Sequence, residues 1–284
     1  MHRMRFTGPA LVLAALTAGA GAAGAQSDLR SRLLAMDNEL ARLRLGMLAA
    51  RLTPDGVLLW PGAPVASGPK DVRRLLEAQR VLDSVRVTWQ PLGIEVASDS
   101  TLALIWGVAA STRGSGDPSL GRYLAVWSRG NEGWKVNAFA LIGLPLTYTE
   151  VPGGLPARTP IGPAGPAGGF TAADIAFARL AADSGAPLAF QRWAAADAVF
   201  PGGLLVRGPR EIGRAIRTGN AWRWYPVQAG ASASGEMGFT VGLATITPPE
   251  GKPAHSKYLT VWRRQPDGRI RFIIDGGNNR PEHP

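Results

Sequence analysis

Two carboxylates set in apolar strand sequence, Asp275 and Glu236, are the side chains best suited to chemistry, with Tyr258 as a hydrogen-bond donor for either. A carboxyl group surrounded by apolar residues has a raised pKa, which fits it for general acid–base work near neutral pH. Each also has a plainer reading. Asp275 precedes Gly276-Gly277 and can satisfy backbone amides at a strand end, while Glu236 follows Ser234-Gly235 and reads as a solvated turn residue. Tyr258 and Trp262 can form a ligand shelf, and Trp222, Trp224 and Tyr225 can line a pocket mouth, or all simply pack as strand aromatics do. Other signatures are thin. The chain has three histidines and no cysteine. His2, His255 and His283 have no ligand spacing, so neither a metal nor any other cofactor is expected. Serine-nucleophile, phosphate-loop and dinucleotide fingerprints do not occur as coherent strand–turn–helix units.

These side chains must be positioned by elements whose limits the residue pattern marks. Ser27 to about Arg51 reads as one helix, because Leu29, Leu33, Met36, Leu40, Leu43 and Met47 form a single apolar stripe. Pro54-Asp55-Gly56 has the turn chemistry to stop it. Val57–Trp60 and Val65–Ala66 are short strands around Pro61-Gly62, and Pro69 opens a second helix to about Leu82. Longer strands are expected at Arg86–Ala97, Thr101–Thr112, Leu120–Arg129 and Trp134–Ile142. Val151–Gly169 then holds five prolines and six glycines, which no helix or sheet ladder tolerates, and reads as a linker.

Beyond the linker the pattern restarts. A helix from Ala172 to about Asp183 carries Ile175, Phe177 and Leu180 as its apolar members, and Leu188–Trp193 is a shorter helical piece. Asp197 reads as a cap between helix and strand. Val199–Leu205 repeats the hairpin of Leu59–Val65. Trp222-Arg223-Trp224-Tyr225-Pro226 echoes Val87-Thr88-Trp89-Gln90-Pro91, and Tyr258–Trp262 echoes Tyr123–Trp127. The offset stays between 135 and 140 residues, so the whole unit is duplicated. In Met237–Thr247 one face carries Met237, Phe239, Val241 and Leu243; the other carries Gly238, Thr240, Gly242 and Ala244, leaving room for a cavity or a close partner. In Arg269–Asp275, strict alternation sets Phe272 opposite Asp275. Glu236 aligns with Ser100 and Asp275 with Phe139. Both carboxylates therefore belong to the second copy, which is the better candidate for binding or catalysis.

The first 25 residues have the form of a signal peptide. His2, Arg3 and Arg5 are basic, Leu11–Leu16 is apolar, and Ala23-Gly24-Ala25 fits the small-x-small cleavage rule. The expected mature chain starts near Gln26 and is exported, to the periplasm or beyond. An uncleaved anchor is the competing reading, for which the apolar stretch is short. The formal charge is +10, without a run of five Lys or Arg residues. Nucleic acid is not an expected partner; weak contact with anionic envelope surfaces or acidic small molecules is the alternative to solvated basic faces. Arg210, Arg214 and Arg217, at helical spacing, either hold an anion or form a solvated helix face.

The stretch Ser234–Gly242, followed by Lys257–Arg264, Pro266-Asp267-Gly268 and Phe272-Ile273-Ile274-Asp275, resembles SnoaL-like domains of unknown function in the nuclear transport factor 2-like superfamily. The resemblance covers nearly all of Phe170–Pro281 and, more weakly, Asp28–Pro145. It implies a strongly curved antiparallel sheet wrapped by helices into a cone with an interior pocket. Members often dimerise through their sheets, so two linked copies are expected to pair as an internal pseudo-dimer. The superfamily includes isomerases, cyclases, dehydratases and non-catalytic binders, which leaves activity open. The expectation is an α+β protein of two tandem cones, residues 26–150 and 170–284, joined by the linker 151–169. It would bind a small apolar molecule, or serve structurally, with Glu236, Tyr258, Trp262, Trp224 and Asp275 as ligand-binding candidates. One alternative is a proton-transfer or lyase-type enzyme acting on an apolar carbonyl compound, with Asp275 catalytic. Another is an envelope interaction protein using a basic surface.

Overall fold

Long strands that are apolar on both faces must bury both, and this chain does so by folding twice and packing the copies together. The computed structural model describes residues 11–42, 45–79, 85–143, 162–202 and 205–282. The first unit comprises α1 (Leu11–Arg42), a 3-10 turn (Leu45–Met47), α2 (Leu48–Arg51), β1 (Leu52–Leu59), β2 (Val65–Ser67), α3 (Gly68–Ala78), β3 (Val85–Val96), β4 (Leu102–Arg113), β5 (Ser119–Gly130) and β6 (Gly133–Gly143). The second comprises α4 (Gly169–Ser184), α5 (Ala186–Trp193), β7 (Ala194–Pro201), β8 (Leu205–Arg207), α6 (Pro209–Ala215), β9 (Ala221–Ala231), β10 (Met237–Thr247), β11 (Ala254–Arg264) and β12 (Ile270–Asn279). Each unit has one six-stranded sheet, in the orders β2-β1-β6-β5-β4-β3 and β8-β7-β12-β11-β10-β9. Among the described residues, only the β1–β6 and β7–β12 pairs are parallel. The architecture is α+β, in two similar units in tandem.

Matching irregularities bend the two sheets. Bulges interrupt β3–β4 at Pro91 and β9–β10 near Pro226, where a proline is tolerated because β3 and β9 are edge strands. Further bulges lie between Val126 and Trp127 and between Val261 and Trp262. The last of these overturns the strict alternation expected for Arg269–Asp275. Val261 pairs with Ile274 and Trp262 with Phe272, so Ile273 is the extra residue. Phe272 and Asp275 consequently share the inward face, beside Trp262 and Thr260.

Local expectations fail where tertiary structure overrides turn chemistry. The helix read as Ser27–Arg51 is broken: α1 ends at Arg42, and α2 is a separate turn. Pro54-Asp55-Gly56 does not stop it but lies within β1, at the register shift against β6. Leu33 and Leu40 of the stripe are buried, Met47 is exposed, and Leu43 lies outside the described residues. In α4 the buried side is Phe170, Ala173, Asp174, Phe177 and Ala181, whereas Ile175 faces solvent. Asp197 is no cap; it lies in β7 and pairs with Arg263 at 2.6 Å. Residues 1–10 and the linker segment 151–161 lie outside the described residues; Gly162 and Gly165 dock on the second unit through Arg264 and Ser234 carbonyls. Among the described residues, no helix is long and apolar enough to cross a membrane.

Two apolar cores result. One fills the first cone, between α1 and the inward residues Tyr123, Ala125, Trp127, Val136 and Phe139. The other runs from the outer face of the first sheet (Leu102, Leu104, Trp106, Leu124, Val126) into the second unit without a break. Gly276 marks how closely the sheets meet, since a Cβ there would lie 2.5 Å from Ile142 Cδ1. Polar locks cross this seam. Arg263, buried on the outer face of β11, also binds Glu95 of the first unit at 3.1 Å. Lys257, fully buried, donates to the carbonyls of Trp60 (2.8 Å), Ala63 (2.7 Å) and Asn279 (2.9 Å). Its counterpart Arg122 reaches back to the Gly202 carbonyl at 2.5 Å, so each unit grips the other's hairpin. Burial, with the like charge of Arg280, lowers the Lys257 pKa to about 7; charged or neutral, the amino group remains a donor.

Lys257→Met keeps the stem and removes the donors, stranding buried carbonyls. The expected loss in urea denaturation is about 2–4 kcal/mol. Lys252→Met, on an exposed loop, should stay within about 0.5 kcal/mol of the parent. Equal midpoints for both variants would show that the carbonyls do not depend on Lys257.

Candidate functional site

The inward face of each sheet meets a helix that carries one buried aspartate. In the first unit Asp37 Oδ2 accepts from Tyr123 Oη (2.7 Å) and Trp89 Nε1 (3.1 Å). In the second, Asp174 accepts from Tyr258 Oη (2.8 Å, at Oδ2) and Trp224 Nε1 (2.8 Å, at Oδ1). The small face of β10 makes this possible: Phe170 covers Gly238, Tyr258 covers Gly242, and Thr240 accepts from Trp262 Nε1 at 2.8 Å. Asp174 was not apparent as a site residue, since one aspartate in a helix looks solvated. The available signal was its partner in the duplication, Asp37, with matching Trp and Tyr residues downstream.

The two units then diverge. Phe139 stacks on Tyr123 with ring centroids 5.9 Å apart, lies 5.3 Å from Trp89, and fills that part of the first cone. Its counterpart is Asp275, and the second cone holds a cavity of about 310 Å³. Its walls include Phe177, Phe190, Phe200, Trp222 and Trp224, with Tyr258 and Asp275 at the polar end. His255 also lines it, and its Nδ1 lies 3.3 Å from Thr245 Oγ1.

Of the side chains singled out in the sequence, the fold brings Asp275, Tyr258 and Trp224 to this one cavity. Trp262 stands behind it, fully buried against Phe177 and Phe272. Glu236 is elsewhere. It is not solvated but buried at the seam between units, where its carboxylate accepts from the Ser98 amide and from Ser98 Oγ (2.7 Å). Tyr258 donates to Asp174, not to Asp275 or Glu236. Among the described residues no group of His, Asp or Glu has the arrangement of a metal site.

Electrostatics separate the two cavity carboxyls. Burial raises the Asp174 pKa, but bonds from Thr240, Tyr258 and Trp224 oppose the rise and stabilise its anion. Burial pushes Asp275 up to about 7; the Thr260 hydroxyl opposes this, and the charge of Asp174 adds to it. Two neighbouring carboxyls in an apolar cone do not ionise equally. The better-bonded Asp174 carries the charge, and Asp275 holds a proton until near neutrality. Tyr258, buried next to Asp174, has its pKa driven up and stays a neutral phenol.

No protein-family model and no curated protein matches the chain. Solved structures resemble about half of it at a time. A domain of unknown function with a cystatin-like fold from Nostoc punctiforme is 17% identical over 40% of this chain and 75% of its own, with a TM-score of 0.35. A nuclear transport factor 2-like superfamily protein from Salmonella enterica is 17% identical over 48% and 97%, with a TM-score of 0.34. A ketosteroid isomerase-like protein from Erwinia carotovora is 19% identical over 37% and 92%, with a TM-score of 0.31. These matches are nuclear transport factor 2-like and cystatin-like domains, and this chain carries two similar sheet units in tandem.

The carboxyl assignment has a sign that can be measured. A folded-state pKa above the ordinary 3.8 means that the native protein holds the Asp275 proton more tightly than the unfolded chain. That contribution is present in full below pH 4 and is lost as pH rises to 7. Relative to wild type, Asp275→Asn should therefore gain stability across this window, by on the order of 2–4 kcal/mol. A difference between the two proteins that does not change with pH would place the Asp275 pKa near that of a solvated carboxyl.

Proposed function

We propose that the second unit binds a small, neutral, largely apolar molecule, with the protonated Asp275 donating a hydrogen bond to an oxygen of that guest. The observation that carries this reading is the exchange of Phe139 for Asp275 within an otherwise repeated Asp–Trp–Tyr frame. An apolar ring in one cone is replaced by a polar group and open volume in the other. The volume lies at the small end of the range for ligand sites, roughly 300–1,000 Å³, and the aromatic walls suit a flat guest. Anions are disfavoured because Asp174 already holds a negative charge beneath the cavity. The first unit serves as the packing partner that covers the outer face of the second sheet. Export is part of the proposal: it rests on the basic, apolar and small-residue order of the first 25 residues.

A second reading, proton transfer on a carbonyl compound, is favoured by the Asp275 pKa of about 7 within an apolar cavity. A carboxyl poised there can give or take a proton at neutral pH.

One methyl ketone, 2-acetylnaphthalene, tests both readings. Fluorescence titration should give saturable binding at pH 5.5 that weakens about ten-fold by pH 8.5, as Asp275 changes from donor to anion. Asp275→Asn should bind with little dependence on pH. Absence of saturable binding would reject the pocket reading. Exchange of the ketone methyl protons in heavy water, faster than in buffer and lost in Asp275→Asn, would favour proton transfer; binding without exchange would leave a binding module.

A further inference from the structure

The second unit departs from the first at another inward position. Trp222 of β9 occupies the place that Val87 holds in β3, and it too lines the cavity. Its register partner Ile246 lies on the inward face of β10 with Ala244. Three indoles lie on the inward face of this sheet, and two are satisfied: Trp224 Nε1 by Asp174 and Trp262 Nε1 by Thr240, each at 2.8 Å. Trp222 Nε1 is buried, with no hydrogen-bond partner among the described residues. Its ring packs edge-on to Phe190, with centroids 5.6 Å apart. An indole N–H buried without an acceptor loses its hydration and gets nothing in return, a cost that a guest oxygen would remove.

Resting on the pocket reading above, we infer that the indole N–H of Trp222 is a second ligand-recognition donor, and that the guest is a neutral aromatic-sized molecule with two acceptor oxygens, one for Asp275 and one for Trp222. Two separated donors on apolar walls fix the direction in which a flat guest lies. Both donors are changes from the filled cone: Phe139 becomes Asp275, and Val87 becomes Trp222, while Ala125 becomes the Thr260 that donates to Asp275. Valine packs without a polar group where the cone is filled, and tryptophan adds a donor where the cavity opens. Guests with one oxygen fit the same space but leave the indole unsatisfied. Discrimination between one and two acceptors is therefore the property of Trp222, whereas affinity for any oxygenated guest belongs to Asp275.

The test compares 2-acetylnaphthalene with 6-methoxy-2-acetylnaphthalene, whose second oxygen sits at the far end of the ring system. Against wild type at pH 5.5, the methoxy ketone should bind about five-fold more tightly. Trp222→Phe should erase that preference while changing affinity for the simple ketone less than two-fold. Asp275→Ala should weaken both, and the fold of each variant is checked by its urea midpoint. If Trp222→Phe weakens both ketones equally, or wild type shows no preference, the indole is only a wall and this inference is overturned, while the pocket reading stands. If neither ketone binds wild type, the pocket reading falls and takes this inference with it.

Discussion

A buried carboxylate on the first helix of each unit determines how helix and sheet meet. A charge taken out of water must be matched by donors of its own, and here the donors come from two different strands. Asp37 gathers Trp89 of β3 and Tyr123 of β5; Asp174 gathers Trp224 of β9 and Tyr258 of β11. Because those strands are separated by β4 or β10, the tie bends the sheet around the helix and fixes which face is inside. The bulges at equivalent places in both sheets absorb that curvature. Once the inward face is set, the outward face of each long strand is set as well. In β11 it consists of Lys257, Leu259, Val261 and Arg263, a row that neither water nor helix covers.

Covering that row is the task of the duplicate. Leu124, Val126, Ala138 and Ala140 of the first sheet lie in the same core as Leu259, Val261 and Ile274 of the second. The charged ends of the row are not wasted at the seam. Lys257 finds three carbonyls, two of them in the β1–β2 connection, and Arg263 finds Glu95 and Asp197. An unpaired charge in such a place would cost several kcal/mol, roughly the net stability of a small domain. The locks therefore specify one docking of the two units as much as they strengthen it. They also make Glu236 intelligible as a seam residue that holds Ser98, away from the cavity.

Much of this was legible in the sequence, and what was missed has a common cause. Repeated strand signatures such as Tyr123–Trp127 and Tyr258–Trp262 disclose the duplication, since alternation and aromatic spacing are local properties. Tyr258 and Trp224 could be named because each sits in a strand whose inward face can be read from its neighbours, and Asp275 because it is a carboxyl in apolar strand sequence. The surroundings of Asp174, Glu236 and Lys257 could not be read, because their partners lie 84, 138 and 197 residues away. Without those partners a helix aspartate, a turn glutamate and a strand lysine all look solvated. Pro54-Asp55-Gly56 misled for the opposite reason: its turn chemistry is real locally, but the parallel pairing of β1 with β6 absorbs it as a register shift. Likewise the Ile273 bulge reverses the side on which Asp275 appears.

Divergence between the copies is better explained by energetics than by drift at one position. Removing a ring the size of Phe139 from a packed cone forfeits a few kcal/mol through lost contacts and residual volume. Placing a carboxyl there adds a desolvation cost, visible in its raised pKa. A solitary cone with a shallow stability margin would not tolerate both. This chain can, because its first cone is filled around Tyr123, Phe139 and Trp89, and because the second sheet's outer face is buried against the first. The filled copy supplies stability that the open copy gives up. Division of labour between a filled, stabilising unit and one that holds the cavity follows directly from having two copies of the same frame. It also accounts for why two departures with polar consequences, Asp275 and Trp222, line the same cavity.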